Sequence, residues 1–119
     1  MTNLQGTYRL AKYGYEYKNK NGFKQISDWY SGVIHYSATG YMNVIVRFAE
    51  VPKALDEIVS YSGTYVVEGN EIVHQVNMSA RSGYEGQILR RTFRLEGNDL
   101  ITEFENTDEF IKFAIWKRE

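Results

Sequence analysis

The chain has 119 residues, 43% of them hydrophobic and 24% charged, with a net charge of -1. That length suits one domain over residues 1–119 with a sizeable core, and the composition excludes a disordered chain. Balanced charge gives no electrostatic case for nucleic acid or an anionic membrane, and the lack of cysteine excludes disulfides, zinc–thiolate sites and a thiol nucleophile.

Absence of cysteine also fits a reducing compartment. The start Met1-Thr2-Asn3-Leu4 has neither a basic segment nor an apolar h-region, and no apolar run approaches the ~20 residues of a membrane helix. A cytoplasmic protein is therefore expected. Ten tyrosines, ten glycines and a single proline point to antiparallel β structure with glycine at the turns.

In chain order, Leu4–Lys12 reads as a strand with Leu4, Gly6, Tyr8 and Leu10 facing the core. Tyr13, Tyr15 and Tyr17 extend it or open a second strand, and their alternating row offers an edge for a homodimer. Asn21-Gly22 is a hairpin turn, followed by a short return or lid-like loop over Phe23–Asp28. Trp29–Ser37 places Gly32, Ile34 and Tyr36 on one face and Val33 and His35 on the other. A turn at Ser37–Gly40 leads into Tyr41–Phe48, with Met42, Val44, Val46 and Phe48 inward.

Pro52–Val59 is the single helix candidate. Proline suits a first turn, and Leu55, Ile58 and Val59 share one face. A second Gly-Thr-Tyr, Gly63–Tyr65, then repeats the first, Gly6–Tyr8. Glycine at a strand entrance lets another backbone approach or the strand bend. Ile72–Met78 carries Ile72, His74, Val76 and Met78 on one face, and Ser79–Gly86 is a polar loop. Gln87–Leu95 sets Leu89, Arg91, Phe93 and Leu95 against Arg90, Thr92 and Arg94. Leu100–Phe104 and Phe110–Lys117 complete the set. About eight or nine strands joined by short turns suit an up-and-down barrel or a sandwich; the all-β, antiparallel up-and-down barrel is the expected fold, and at about eight strands it is just wide enough for one small ligand.

The spaced residues Leu4-x-Gly6-Thr7-Tyr8, Gly32-Val33-Ile34-x-Tyr36-x-x-x-Gly40-Tyr41-Met42, Tyr61-x-Gly63-Thr64-Tyr65, Val73-His74, Arg91 and Trp116-Lys117-Arg118 resemble the lipocalin-like domain family. That family is a branch of the calycin-type barrels. The resemblance implies a small barrel with an internal cavity and says less about activity, since some relatives act as isomerases or cyclases. The family usually has Trp where Tyr8 stands. By the resemblance, Tyr8 seals the barrel base with Arg118 or Arg91 on its ring.

His74 falls on an apolar inward face. It reads either as a base, ligand anchor or haem ligand, or as a neutral core histidine bonded to a tyrosine or a backbone carbonyl. Arg91, also inward, reads as a carboxylate-binding arginine for an anionic amphiphile or as the stack at the base. Tyr36, Tyr65, Met42 and Trp116 are pocket-lining or plain core residues. For Trp116 the phase is open, because Ile111, Phe113 and Ile115 form an equally good inward face. HExxH, GxSxG, P-loop and Rossmann patterns are absent, as is a dense acidic metal cluster.

These residues lead to binding of a small hydrophobic or amphipathic molecule in the cavity, with ligand-binding residues His74, Arg91, Tyr36, Tyr65, Met42 and Trp116. No cofactor, metal, nucleic acid or membrane is expected. The alternative is a cofactor-free isomerase or cyclase using the same cavity, with His74 as acid or base helped by Tyr36 or Tyr65. Haem binding through His74 is a third reading.

Overall fold

The computed structural model describes residues 4–21, 23–27, 30–48, 58–80 and 83–119. It contains nine strands: β1 (Gly6–Tyr17), β2 (Phe23–Ser27), β3 (Tyr30–Tyr36), β4 (Tyr41–Phe48), β5 (Ile58–Glu68), β6 (Glu71–Ser79), β7 (Ile88–Glu96), β8 (Asp99–Asn106) and β9 (Phe110–Arg118). Neighbours pair antiparallel in the order β2-β1-β3-β4-β5-β6-β7-β8-β9, and β9 pairs back onto β1. Eight of them therefore close a barrel, as the alternation predicts, with β2 as the ninth strand.

β1 is long enough to serve three partners. Its first half pairs β3, Gly6 opposite Tyr36 through Arg9 opposite Val33. Its second half pairs β2 along the same edge, Tyr13 opposite Ser27 through Tyr17 opposite Phe23. β9 runs along the other edge, from Tyr8 opposite Arg118 to Tyr17 opposite Phe110. A 3-10 turn at Lys18–Lys20, ended by left-handed Asn21, carries the chain out of β1.

Inward positions follow the period-2 pattern. Leu4, Tyr8, Leu10, Ile34, Tyr36, Met42, Val44, Tyr61, Ile72, Val76, Leu100, Ala114 and Trp116 form one buried cluster. The phase of the last strand is thereby fixed, with Ala114 and Trp116 inward. Phe113 is buried as well, on the outer face beneath Lys24 of β2, whose ammonium lies 5.9 Å from the ring centre.

Two expectations need correction. Of the helix at 52–59, residues 52–57 lie outside the described residues, but Ile58 and Val59 are extended in β5, opposite Arg47 and Val46. Backbone pairing with β4 satisfies them, so their helical spacing is incidental. Met78 does not share the inward face of Ile72, His74 and Val76; it is 67% exposed. The cause is a β-bulge: Ser62 faces Met78 while the next residue, Gly63, faces Val76, so Asn77 is the extra residue and reverses the phase.

The two Gly-Thr-Tyr copies do different work. At Gly63 the Gln75 carbonyl oxygen lies 1.8 Å from where a Cβ would stand, so β6 crosses directly over it. At Gly6, with φ +141°, the same space is taken by the Arg118 guanidinium.

Candidate functional site

A cavity of about 250 Å³ lies within the barrel. Strand register stacks the inward residues in and around it in layers. Tyr8, Tyr36, Met42, Tyr65 and Trp116 lie toward one end. Leu10, Ile34, Val44, Tyr61, His74, Arg91, Thr102 and Ala114 follow, then Tyr13, Val46, Val59, Phe104 and Lys112.

At the first end Tyr8 is fully buried, and its hydroxyl donates to the Leu4 carbonyl at 2.7 Å. Arg118 sits over the Tyr8 ring, 4.8 Å from its centre, and donates to the Gln5 carbonyl. Of the two arginines considered for this stack, Arg118 takes it. Arg91 is left for the cavity. The Tyr36 ring meets Tyr8 edge-on at 6.4 Å and Tyr65 at 4.8 Å, while the Tyr65 hydroxyl donates to the Ser37 carbonyl at 2.7 Å.

His74 is 1% exposed and bonded through both ring nitrogens. The Tyr36 hydroxyl lies 2.7 Å from Nε2, and the Tyr61 hydroxyl lies 3.0 Å from Nδ1. Burial, helped by the charge of Arg91, lowers its pKa from 6.5 to about 3. The ring is therefore neutral at physiological pH, with one nitrogen donating and the other accepting. Both phenols stay protonated. Burial pushes Tyr36 well above 10, and it raises Tyr61 against the opposing charge and hydrogen bond of Arg91.

Arg91, half-buried on β7, lines the cavity with its guanidinium 5.6 Å from the centre of the Phe104 ring. No carboxylate among the described residues pairs with it. The Lys112 ammonium stands 5.7 Å from the same ring and close to Tyr13 and Tyr15. Burial lowers the pKa of Lys112, but a hydrogen bond and charge from Tyr13, with Tyr15 and Glu105, outweigh that and raise it.

Of the six residues picked from sequence, His74, Arg91, Tyr36 and Trp116 line the cavity. Tyr65 packs behind Tyr36, and Met42 is buried in the surrounding core. Sequence reasoning missed Tyr61, Tyr84, Phe104, Thr102 and Lys112. Tyr61 shares the face of Gly63 and Tyr65, a signal that was readable. Tyr84 comes from the polar loop and meets Tyr61 edge-on at 5.9 Å, which no periodicity could disclose. Tyr13 lines the cavity too, because a bulge between Leu10 and Lys12 turns it inward. Tyr15 and Tyr17 pack on Phe110 of their own chain. Thr102 accepts the Trp116 indole N–H at 3.1 Å, orienting that ring.

Among the described residues there is no cluster of His, Asp or Glu able to hold a metal ion, and no helix long and apolar enough to cross a membrane. Neither the family models nor the curated proteins compared with this sequence match it.

Proposed function

We propose that this protein is a lipocalin-like barrel of the cytoplasm that binds a small apolar or amphipathic molecule in its cavity. The observation that carries this reading is the cavity itself. A dry cavity of 150 Å³ accommodates benzene, and this one offers about 250 Å³, mostly behind apolar and aromatic side chains. Closed calycin-type architecture and the spaced residues that resemble the lipocalin-like family point the same way.

Binding is favoured over isomerase or cyclase chemistry because His74 has no free nitrogen. Both are held by buried tyrosines, and a pKa of about 3 makes the ring a poor base. The same two bonds leave no lone pair for haem iron. Tyr36, Trp116 and Arg91 then serve as wall and anchor, with His74 fixing the tyrosines.

Native mass spectrometry of protein purified from cells tests the reading. A small molecule should co-purify, be recovered chemically unchanged after incubation, and be lost from Ala114→Phe, which fills the middle of the cavity. If occupancy is the same in that folded variant, the molecule is not in the cavity. If the recovered compound is converted on incubation, the enzyme reading replaces this one.

A further inference from the structure

Resting on that reading, we infer that the cavity selects a small carboxylate with a compact apolar body of about one ring, its acidic group held between Arg91 and the Tyr61 hydroxyl. Among the described residues no Asp or Glu lines the cavity, while two cations, Arg91 and Lys112, flank Phe104 within it, so these donors stand without a carboxylate acceptor. A half-buried guanidinium with no carboxylate partner is costly. An anionic ligand removes that cost and supplies the charge-assisted, bidentate contact for which arginine is shaped.

Hydrogen positions follow from the bonding partners. Tyr36 is fully buried, and the sole partner of its hydroxyl among the described residues is His74 Nε2, so it donates there. A neutral imidazole then carries its proton on Nδ1 and donates to the Tyr61 oxygen. With its oxygen accepting from Nδ1, Tyr61 has its own O–H left to give, and the cavity that it lines is where a ligand takes it. His74 thus acts as a positioning residue: it fixes Tyr61 as a donor beside the Arg91 charge.

Size and walls define the rest of the ligand. About 250 Å³ holds a ring and a short arm and falls below the 300–1,000 Å³ common for drug-sized ligands. Leu10, Ile34, Val44 and Ala114 offer an apolar bed for the ring. Lys112, in the layer beyond Arg91, adds attraction for an arriving anion.

Calorimetric titration of 3-phenylpropanoate and its neutral isostere 3-phenylpropanamide tests this. The acid should bind wild type at least ten-fold tighter than the amide. Arg91→Met should bring the acid to within about two-fold of the amide, Arg91→Lys should restore part of the gap, and Tyr61→Phe should narrow it. Raising salt from 50 to 500 mM should weaken the acid several-fold and leave the amide unaffected, a readout on wild type that needs no variant to fold. Equal binding of acid and amide overturns this inference and leaves the cavity reading standing. If neither binds, both fall.

Discussion

A single buried histidine carries the most specific information at the residue scale. His74 is neutral in the folded chain at a pH where the unfolded chain protonates it. Its folded pKa is depressed, so the stability it contributes is complete above its ordinary value of 6.5 and drains away as pH falls from there toward about 3. Within that window the unfolded state binds one more proton, a slope of about 1.4 kcal/mol per pH unit. Denaturant titrations of wild type and His74→Gln at pH 7.5, 6, 5 and 4 should show wild type losing stability faster, by that slope, below about 6.5. Parallel curves would mean that the ring is protonated or solvated in the fold. The inward face of His74 was legible from alternation alone. A tyrosine partner was foreseen, with Tyr36 among the candidates, but the clamp by Tyr36 of β3 and Tyr61 of β5 on the two ring nitrogens was not, because only the register of the closed sheet brings them together.

At the scale of elements, period 2 gave the inward faces of β3, β4 and β7 correctly and failed at two bulges. A bulge depends on how two strands pair, so neither Tyr13 turning inward nor Met78 turning outward leaves a mark on its own strand. The first half of β5 was hidden for a different reason: Ile58 and Val59 also fit a helical spacing. What the sequence did carry was the repeated glycine. Gly63 sits where β5 and β6 cross too closely for any side chain, since a Cβ would fall 1.8 Å from a backbone oxygen that cannot swing aside. Gly63→Ala should therefore cost about 3 kcal/mol or more, through forced displacement of β6. Gly69 provides the contrast. It lies in the β5–β6 turn with φ +62° and open space around it, so Gly69→Ala should lose only the roughly 1–2 kcal/mol of left-handed strain. Urea denaturation of both variants checks the order. Equal losses would show that β6 moves away at little cost.

For the whole molecule, the decisive step is closure. β1 and β9 join the first and last strands, which leaves the barrel itself without an edge and β2 as an appended ninth strand. Regular strand spacing suits a closed barrel and a sandwich alike, so closure is decided by the pairing of β9 with β1. Arg118 fastens the joint. It stacks on Tyr8 at 4.8 Å, bonds the Gln5 carbonyl and fills the space that Gly6 leaves open. Arg118→Ala should cost about 1–3 kcal/mol from the lost stack and the carbonyl left without its charged donor. Gly6→Ala should also destabilise, by displacing the guanidinium from that space and by straining a backbone held at φ +141°. Since both changes remove the same stack, their losses should not add: the double variant should be more stable than the sum by about 0.5 kcal/mol or more. Kinetics provides a second check. Tyr8 and Arg118 face each other from opposite ends of the chain, and a contact so distant in sequence forms late, after the loop-closure entropy has been met. Loss of Arg118 should then accelerate unfolding and leave refolding nearly unchanged in stopped-flow measurements. A refolding rate that falls by the full stability loss would place ring closure early, with the barrel assembled from its joint rather than completed by it.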